Sequence, residues 1–147
     1  MTIRRATIDD LDRLVNLARL EHGASRMKKY PFDEAHVRHS FTGAINGMGS
    51  AVFVSESDGA VTGLIAGMVQ VNLLNRYMTA YELMWFAVDG SGLKLLTALK
   101  DWANKMRCIE FVVHNYAGII PAERFNKAML RKGFMPLGMT YVAELES

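Results

Sequence analysis

Residues 2–6 alternate between polar and apolar, the two-residue period of a half-buried strand. The period then lengthens. Leu11, Leu14, Val15 and Ala18 recur at i, i+3, i+4 and i+7, one face of an amphipathic helix reaching about Glu21. Thr7 and Asp10 give this helix a capping-box-like start. Beyond a basic, irregular stretch through Tyr30 and Pro31, Asp33 is placed as the N-cap of a second helix. Its inward stripe is Val37, Phe41 and Ile45, and Gly47 and Gly49 end it.

Residues 51–56 and 60–71 are β-prone runs separated by Ser57, Asp58 and Gly59, and Asp-Gly between such runs predicts an antiparallel hairpin. A polar connection leads to another β-prone run, residues 79–88, which stops at Asp89-Gly90-Ser91-Gly92. A helix burying Leu96, Leu99, Ala103 and Met106 follows, and then the apolar run 108–113, which reads as a buried strand. Strand, helix and strand of this length predict a right-handed crossover between parallel strands. Pro121 suits the first position of a final helix that turns Phe125 and Met129 inward and is capped by Gly133. Residues 137–145 complete the pattern as a last strand. The expected order is β-α-α-β-β-β-α-β-α-β, a mixed α/β sheet without repeats.

Composition narrows this picture to one soluble domain, 1–147, since half the residues are hydrophobic and 22% are charged. The net charge is +2, with basic residues scattered in ones and twos. That distribution argues against a nucleic-acid stripe and leaves room for one anionic small molecule. Cys108 stands alone, within an apolar run, which points to a small core residue and a reducing compartment. Residues 1–10 carry charge where an export signal is apolar, and no apolar run reaches membrane-spanning length. The expectation is a cytoplasmic protein that does not engage membranes. Of the ten methionines, Met48, Met68, Met84, Met106 and Met129 lie in apolar-patterned segments and read as core.

The candidate chemistry gathers where the run 79–88 gives way to a helix. Unpaired amides and the positive dipole end of such a helix attract phosphate. Gly90 and Gly92 allow close main-chain approach, and Lys94 adds a charge. Gly-x-Gly also occurs in strand-to-helix turns for geometric reasons alone. His36 and His39 are three apart on the second helix, but no cysteine or paired carboxylate completes a metal site, and they read as a solvated face. Ser91 has no His-Asp pair in a nucleophile elbow around it.

The order of elements, together with Glu82-Leu-Met-Trp-Phe-Ala-Val88, Gly90-Ser-Gly-Leu-Lys-Leu-Leu96 and Arg131-Lys-Gly-Phe134, resembles the GNAT superfamily of acyl-CoA-dependent N-acyltransferases. It looks most like the small members found in phage and bacterial genomes. The resemblance implies a twisted sheet of six to seven strands flanked by about four helices. It also implies acetyl-CoA as cofactor, with Phe86, Ala87 and Val88 along the pantetheine arm and Gly90, Ser91, Gly92, Leu93 and Lys94 at the pyrophosphate.

Two features depart from the family. Only Asp89 stands between Val88 and Gly90, so the phosphate loop is several residues short and lacks its usual first basic or amide side chain. Met129 occupies the slot, four before Gly133, where a tyrosine commonly serves as general acid.

Acyl transfer needs a neutral amine, whereas an ammonium of pKa about 10.4 is mostly protonated at neutral pH. Glu82, among aromatic and aliphatic neighbours, is the candidate base; the other reading makes it a structural acceptor or a surface carboxylate. His114 and Tyr116 follow the next strand and are candidate proton carriers, with Asn115 a candidate pantetheine contact, although polar residues at strand ends also form turns. Glu21, His22 and Tyr77 fall in regions that line the acceptor side in the resembled family.

The expected activity is acetyl transfer to a primary amine, on a small molecule or a protein, by direct attack in a ternary complex. The rival expectation is a catalytically degenerate module that binds a partner or host protein. A homodimer through edge strands is compatible with either.

Overall fold

The structure is a computed structural model that describes residues 1–145. Five strands form one sheet in sequential order: β1 (Thr2–Arg5), β2 (Ser50–Ser57), β3 (Ala60–Val71), β4 (Met78–Ala87) and β5 (Glu110–Val112). The first three pairings are antiparallel and the last, β4 with β5, is parallel. Helices α1 (Leu11–Ala24) and α2 (Glu34–Asn46) connect β1 to β2, α3 (Gly92–Lys105) is the crossover between β4 and β5, and α4 (Ala122–Arg131) follows β5.

The long apolar runs of β2 and β3 arise because helices cover both faces of the sheet. Val52, Val54, Leu64 and Ala66 pack with α1 and α2, while their neighbours Ala51 and Ile65 pack with α3. The predicted stripe of α3 holds for Leu96, Leu99 and Ala103, and Leu95 and Trp102 join it. Asp58 and Gly59 both adopt positive φ, 52° and 76°, as a two-residue hairpin between right-twisted strands requires. The Asp33 carboxylate accepts the His36 amide at 2.9 Å and starts α2 as expected. Asp10 is buried, accepts the Thr7 amide at 2.8 Å, and binds Arg4 through both oxygens, tying the start of α1 to β1.

The second half departs from expectation. Residues 137–145 form no strand, so the sheet has five strands rather than six or seven. Pro136 lacks a ladder donor, Gly138 bends the chain at φ 138°, and β5 offers only three residues to pair with. With no strand beyond it among the described residues, the run 108–113 is a short, half-buried edge rather than a buried strand, and Cys108 is only partly covered. Met48 is 93% exposed and Met68 is also exposed, whereas Met129 is in the core, so the expected methionine packing holds only in part. No helix among the described residues is long and apolar enough to cross a membrane.

Candidate active site

The site begins with an irregularity in β4. Opposite β3, Ala66 pairs with Met84 but Gly67 pairs with Glu82, so Leu83 is an extra residue and β4 bulges there. Gly67 is what the neighbouring helix demands: a Cβ on it would lie 2.8 Å from a Leu99 methyl and 3.0 Å from the Tyr81 carbonyl. The bulge coincides with the parting of the strands. β5 pairs with β4 only at Thr79, Ala80 and Tyr81, and from Glu82 onward the β4 edge facing β5 has no strand partner.

Glu82 therefore sits at the apex of a wedge-shaped gap, only 8% exposed. Burial pushes its carboxyl up to about 7, against the downward pull of the His114 amide and with a further upward push from the charge of Glu21. That amide donates to Glu82 Oε2 at 3.2 Å, and His114 Nδ1 lies 3.9 Å from the same oxygen. The imidazole stacks on Tyr81 and is 44% exposed, so it joins the buried carboxylate to solvent. Of the readings open for Glu82, a solvated surface carboxylate is the one this burial removes.

A cavity of about 380 Å³ opens at the gap, lined by Glu82, Glu21, His114, Asn115 and Tyr116 with Met84, Trp85 and Phe125 as apolar wall. The structure thus brings together both candidate proton carriers and the candidate base. Two of the lining polar residues, Asn115 and Tyr116, are already engaged. Asn115 Nδ2 donates to the Ile120 carbonyl at 2.8 Å, holding the loop 115–120, and the Tyr116 hydroxyl donates to Met27 Sδ at 3.8 Å beneath Arg26. A larger cavity of about 690 Å³ lies between β5, α4 and the segment 133–140, and it touches neither Glu82 nor Glu21.

The residues expected at the cofactor lie at the C-terminal end of β4. Phe86 is half-buried against the α1 and α2 layer, Ala87 packs on the α3 side, and Val88 is exposed. Gly90 takes φ 78°, and a Cβ on Gly92 would lie 3.3 Å from the Trp85 indole, whose Nε1 donates to the Gly92 carbonyl. Ser91 is buried and its hydroxyl donates to Ser55 Oγ at 2.8 Å. Leu93 and Lys94 are exposed in the first turn of α3.

Asp89 Oδ1 accepts the Ser91 amide at 3.0 Å, while Oδ2 accepts the Thr62 hydroxyl at 2.7 Å. The protein's own carboxylate therefore takes one of the donors that a phosphate would use. Gly92 and Leu93 contribute the opening amides of α3, which have no acceptor within the helix. Met129, in the tyrosine slot, is a buried thioether without a proton to give.

No protein-family model matches the sequence, and no curated protein matches it significantly. Solved structures do match over the whole chain. A probable acetyltransferase superposes with a TM-score of 0.77 at 15% identity, covering 100% of this chain and 99% of the other. The ribosomal-protein-alanine N-acetyltransferase of Brucella melitensis biovar Abortus gives 0.72 at 13% identity, over 99% and 100%. An aminoglycoside 6'-N-acetyltransferase from Acinetobacter haemolyticus gives 0.72 at 13% identity, over 100% of both chains. The chain has the fold of the GNAT acetyltransferases.

Proposed function

We propose that this protein transfers an acetyl group from acetyl-CoA to a primary amine by direct attack in a ternary complex. The observation that carries the reading is Glu82, a buried carboxylate whose proton affinity is raised to about 7 at the apex of the gap between β4 and β5.

The residues present fit the donor unevenly. The unpaired edge of β4 from Glu82 to Ala87 offers main-chain donors and acceptors suited to an amide-bearing pantetheine arm, with Phe86, Ala87 and Val88 beside it. The diphosphate has the amides of Gly92 and Leu93, the main chain of Gly90 and the charge of Lys94, and reaches the Ser91 amide only in competition with Asp89. When bound, the thioester supplies an activated carbonyl. Glu82 takes one proton from the acceptor ammonium, the freed nitrogen forms a bond to the carbonyl carbon, and the carbon–sulfur bond breaks with its electrons on sulfur; the nitrogen then gives up its second proton, which passes through water to the departing thiolate and leaves a neutral amide and a thiol. His114 returns the first proton from Glu82 to solvent. Tyr116, tied to Met27, is the lesser of the two proton carriers. Asn115 contributes by fixing the loop that carries them.

A second reading, a GNAT-fold module that binds a partner protein without catalysis, is favoured by the Asp89 contact to the Ser91 amide and by Met129. Two measurements decide between them. Thiol release from acetyl-CoA over a panel of primary amines is expected above the no-enzyme rate. Acetyl-CoA at a hundred times its dissociation constant is expected to stabilise the fold by about 2.7 kcal/mol. No release and no thermal shift at millimolar acetyl-CoA give the binding module preference.

A further inference from the structure

Glu21 is a carboxylate that the proposed chemistry does not use. It lies near the end of α1 and lines the same cavity as Glu82. Burial pushes its carboxyl up, against the downward pull of the adjacent His22, and its charge in turn raises Glu82. Four other acids of the N-terminal half are matched by arginines: Asp10 and Glu56 by Arg4, Glu34 by Arg19 and Arg38, Asp12 by Arg38. Among the described residues Glu21 has neither an ion pair nor a side-chain hydrogen bond, and Glu82 accepts only the His114 amide.

No lysine or arginine lines this cavity; its other titratable groups are His114 and Tyr116. Two carboxylates lining one half-enclosed, largely apolar space, with the charge of Glu21 raising the proton affinity of Glu82, are a cost to the empty protein that a cation relieves. One cation is not enough for both roles, because the nitrogen that reacts must surrender its proton to Glu82. The walls between the two acids, with Met84, Trp85, Ile120 and Phe125, suit a methylene chain, and aromatic faces tolerate a cation nearby.

We propose that the acceptor is an aliphatic diamine or oligoamine, with Glu21 holding an unreacting ammonium while Glu82 deprotonates the reacting one. This rests on the transferase reading of the cavity, and the two are separable by experiment.

Calorimetric titration of the full chain at pH 7.5, without acetyl-CoA, compares 1,4-diaminobutane with butylamine. The diamine is expected to bind at least tenfold tighter, as one added charge-assisted contact predicts, and Glu21→Gln is expected to erase the difference. Equal affinities in the native chain, or a preference that survives both Glu21→Gln and Glu21→Ala, overturn the assignment. With acetyl-CoA present, the ratio of kcat/KM for diamine over monoamine is expected to fall by about tenfold in Glu21→Gln. Turnover of monoamines with no diamine preference leaves the transferase standing and removes this proposal. A Glu21-dependent diamine preference in binding, with no turnover of any amine, supports the pocket and removes the transferase.

Discussion

The middle of β4 and its C-terminal end carry carboxylates that their surroundings treat in opposite ways. Glu82, where the strand leaves β5, is walled off from water and held up to about 7. Asp89, just past the C-terminal end, is exposed; slight burial works upward on it, but hydrogen bonds from Ser91 and Thr62 outweigh that and hold it at about 2. One group is poised to exchange a proton near neutrality and the other is a fixed negative charge. The lesson is that a single strand supplies both the feature that argues for catalysis and the feature that weakens the donor site.

The largest expected break in this comparison is Glu82→Gln. Loss of a general base lowers kcat/KM by about 10²- to 10⁴-fold, and it removes the acidic limb of the pH profile near 7, read by initial rates from pH 5.5 to 9. A second readout is stability. The folded carboxyl titrates above its ordinary 4.5. Its neutral form therefore contributes stability that is full below 4.5 and lost as pH rises through about 7, a change of roughly 3 kcal/mol at most. Urea melts at pH 5 and pH 8 are expected to show the native chain weakening relative to Glu82→Gln. Parallel curves for the two proteins return Glu82 to an ordinary carboxylate and leave its proposed role without support.

Ser91→Ala probes the C-terminal end with a smaller effect. The hydroxyl is 1% exposed and donates to Ser55 Oγ, which also shares a 3.3 Å contact with Thr62. Its removal leaves a buried oxygen short of one partner and is expected to destabilise by about 1 kcal/mol, read as a lowered urea midpoint. Acetyl-CoA affinity is expected to hold, because the proposed contact there is main-chain. A fold unharmed with binding lost would make the hydroxyl a ligand and this turn a better phosphate site than its contacts suggest.

The same contrast explains what the sequence disclosed. The front half was legible because periodicity, capping residues and the Asp-Gly turn are local signals, and Asp33, Asp58 and Gly59 act where their chemistry requires. Glu82 was legible as a candidate because a carboxylate in Tyr81-Glu82-Leu83-Met84-Trp85 breaks an apolar run. Its partners were not, since the bulge at Leu83 and the parting from β5 are products of register, for which Gly67 within a strand was the available signal. Glu21 gave no local sign of sharing a cavity with Glu82, being 61 positions away in a helix. The failure at 137–145 has a different origin: its alternation is genuine, but strand formation needs a partner edge, and β5 is too short to supply one.

Asp89→Asn carries the smallest expected effect and bears most directly on the donor. Asparagine keeps an oxygen that can accept the Ser91 amide, removes the charge and places an NH2 donor where Oδ2 accepts the Thr62 hydroxyl, which can rotate to accept it, so the melting temperature is expected to change little. A unit charge facing a phosphate across a few ångströms of water is worth about 1 kcal/mol, or roughly fivefold in affinity, and salt screens it. Acetyl-CoA is therefore expected to bind Asp89→Asn about fivefold tighter than the native chain at low ionic strength, with the advantage shrinking as salt is added. An unchanged affinity at every salt concentration would mean that the diphosphate does not rest at this turn. Tighter binding that vanishes in high salt would place the fixed charge of Asp89 beside it.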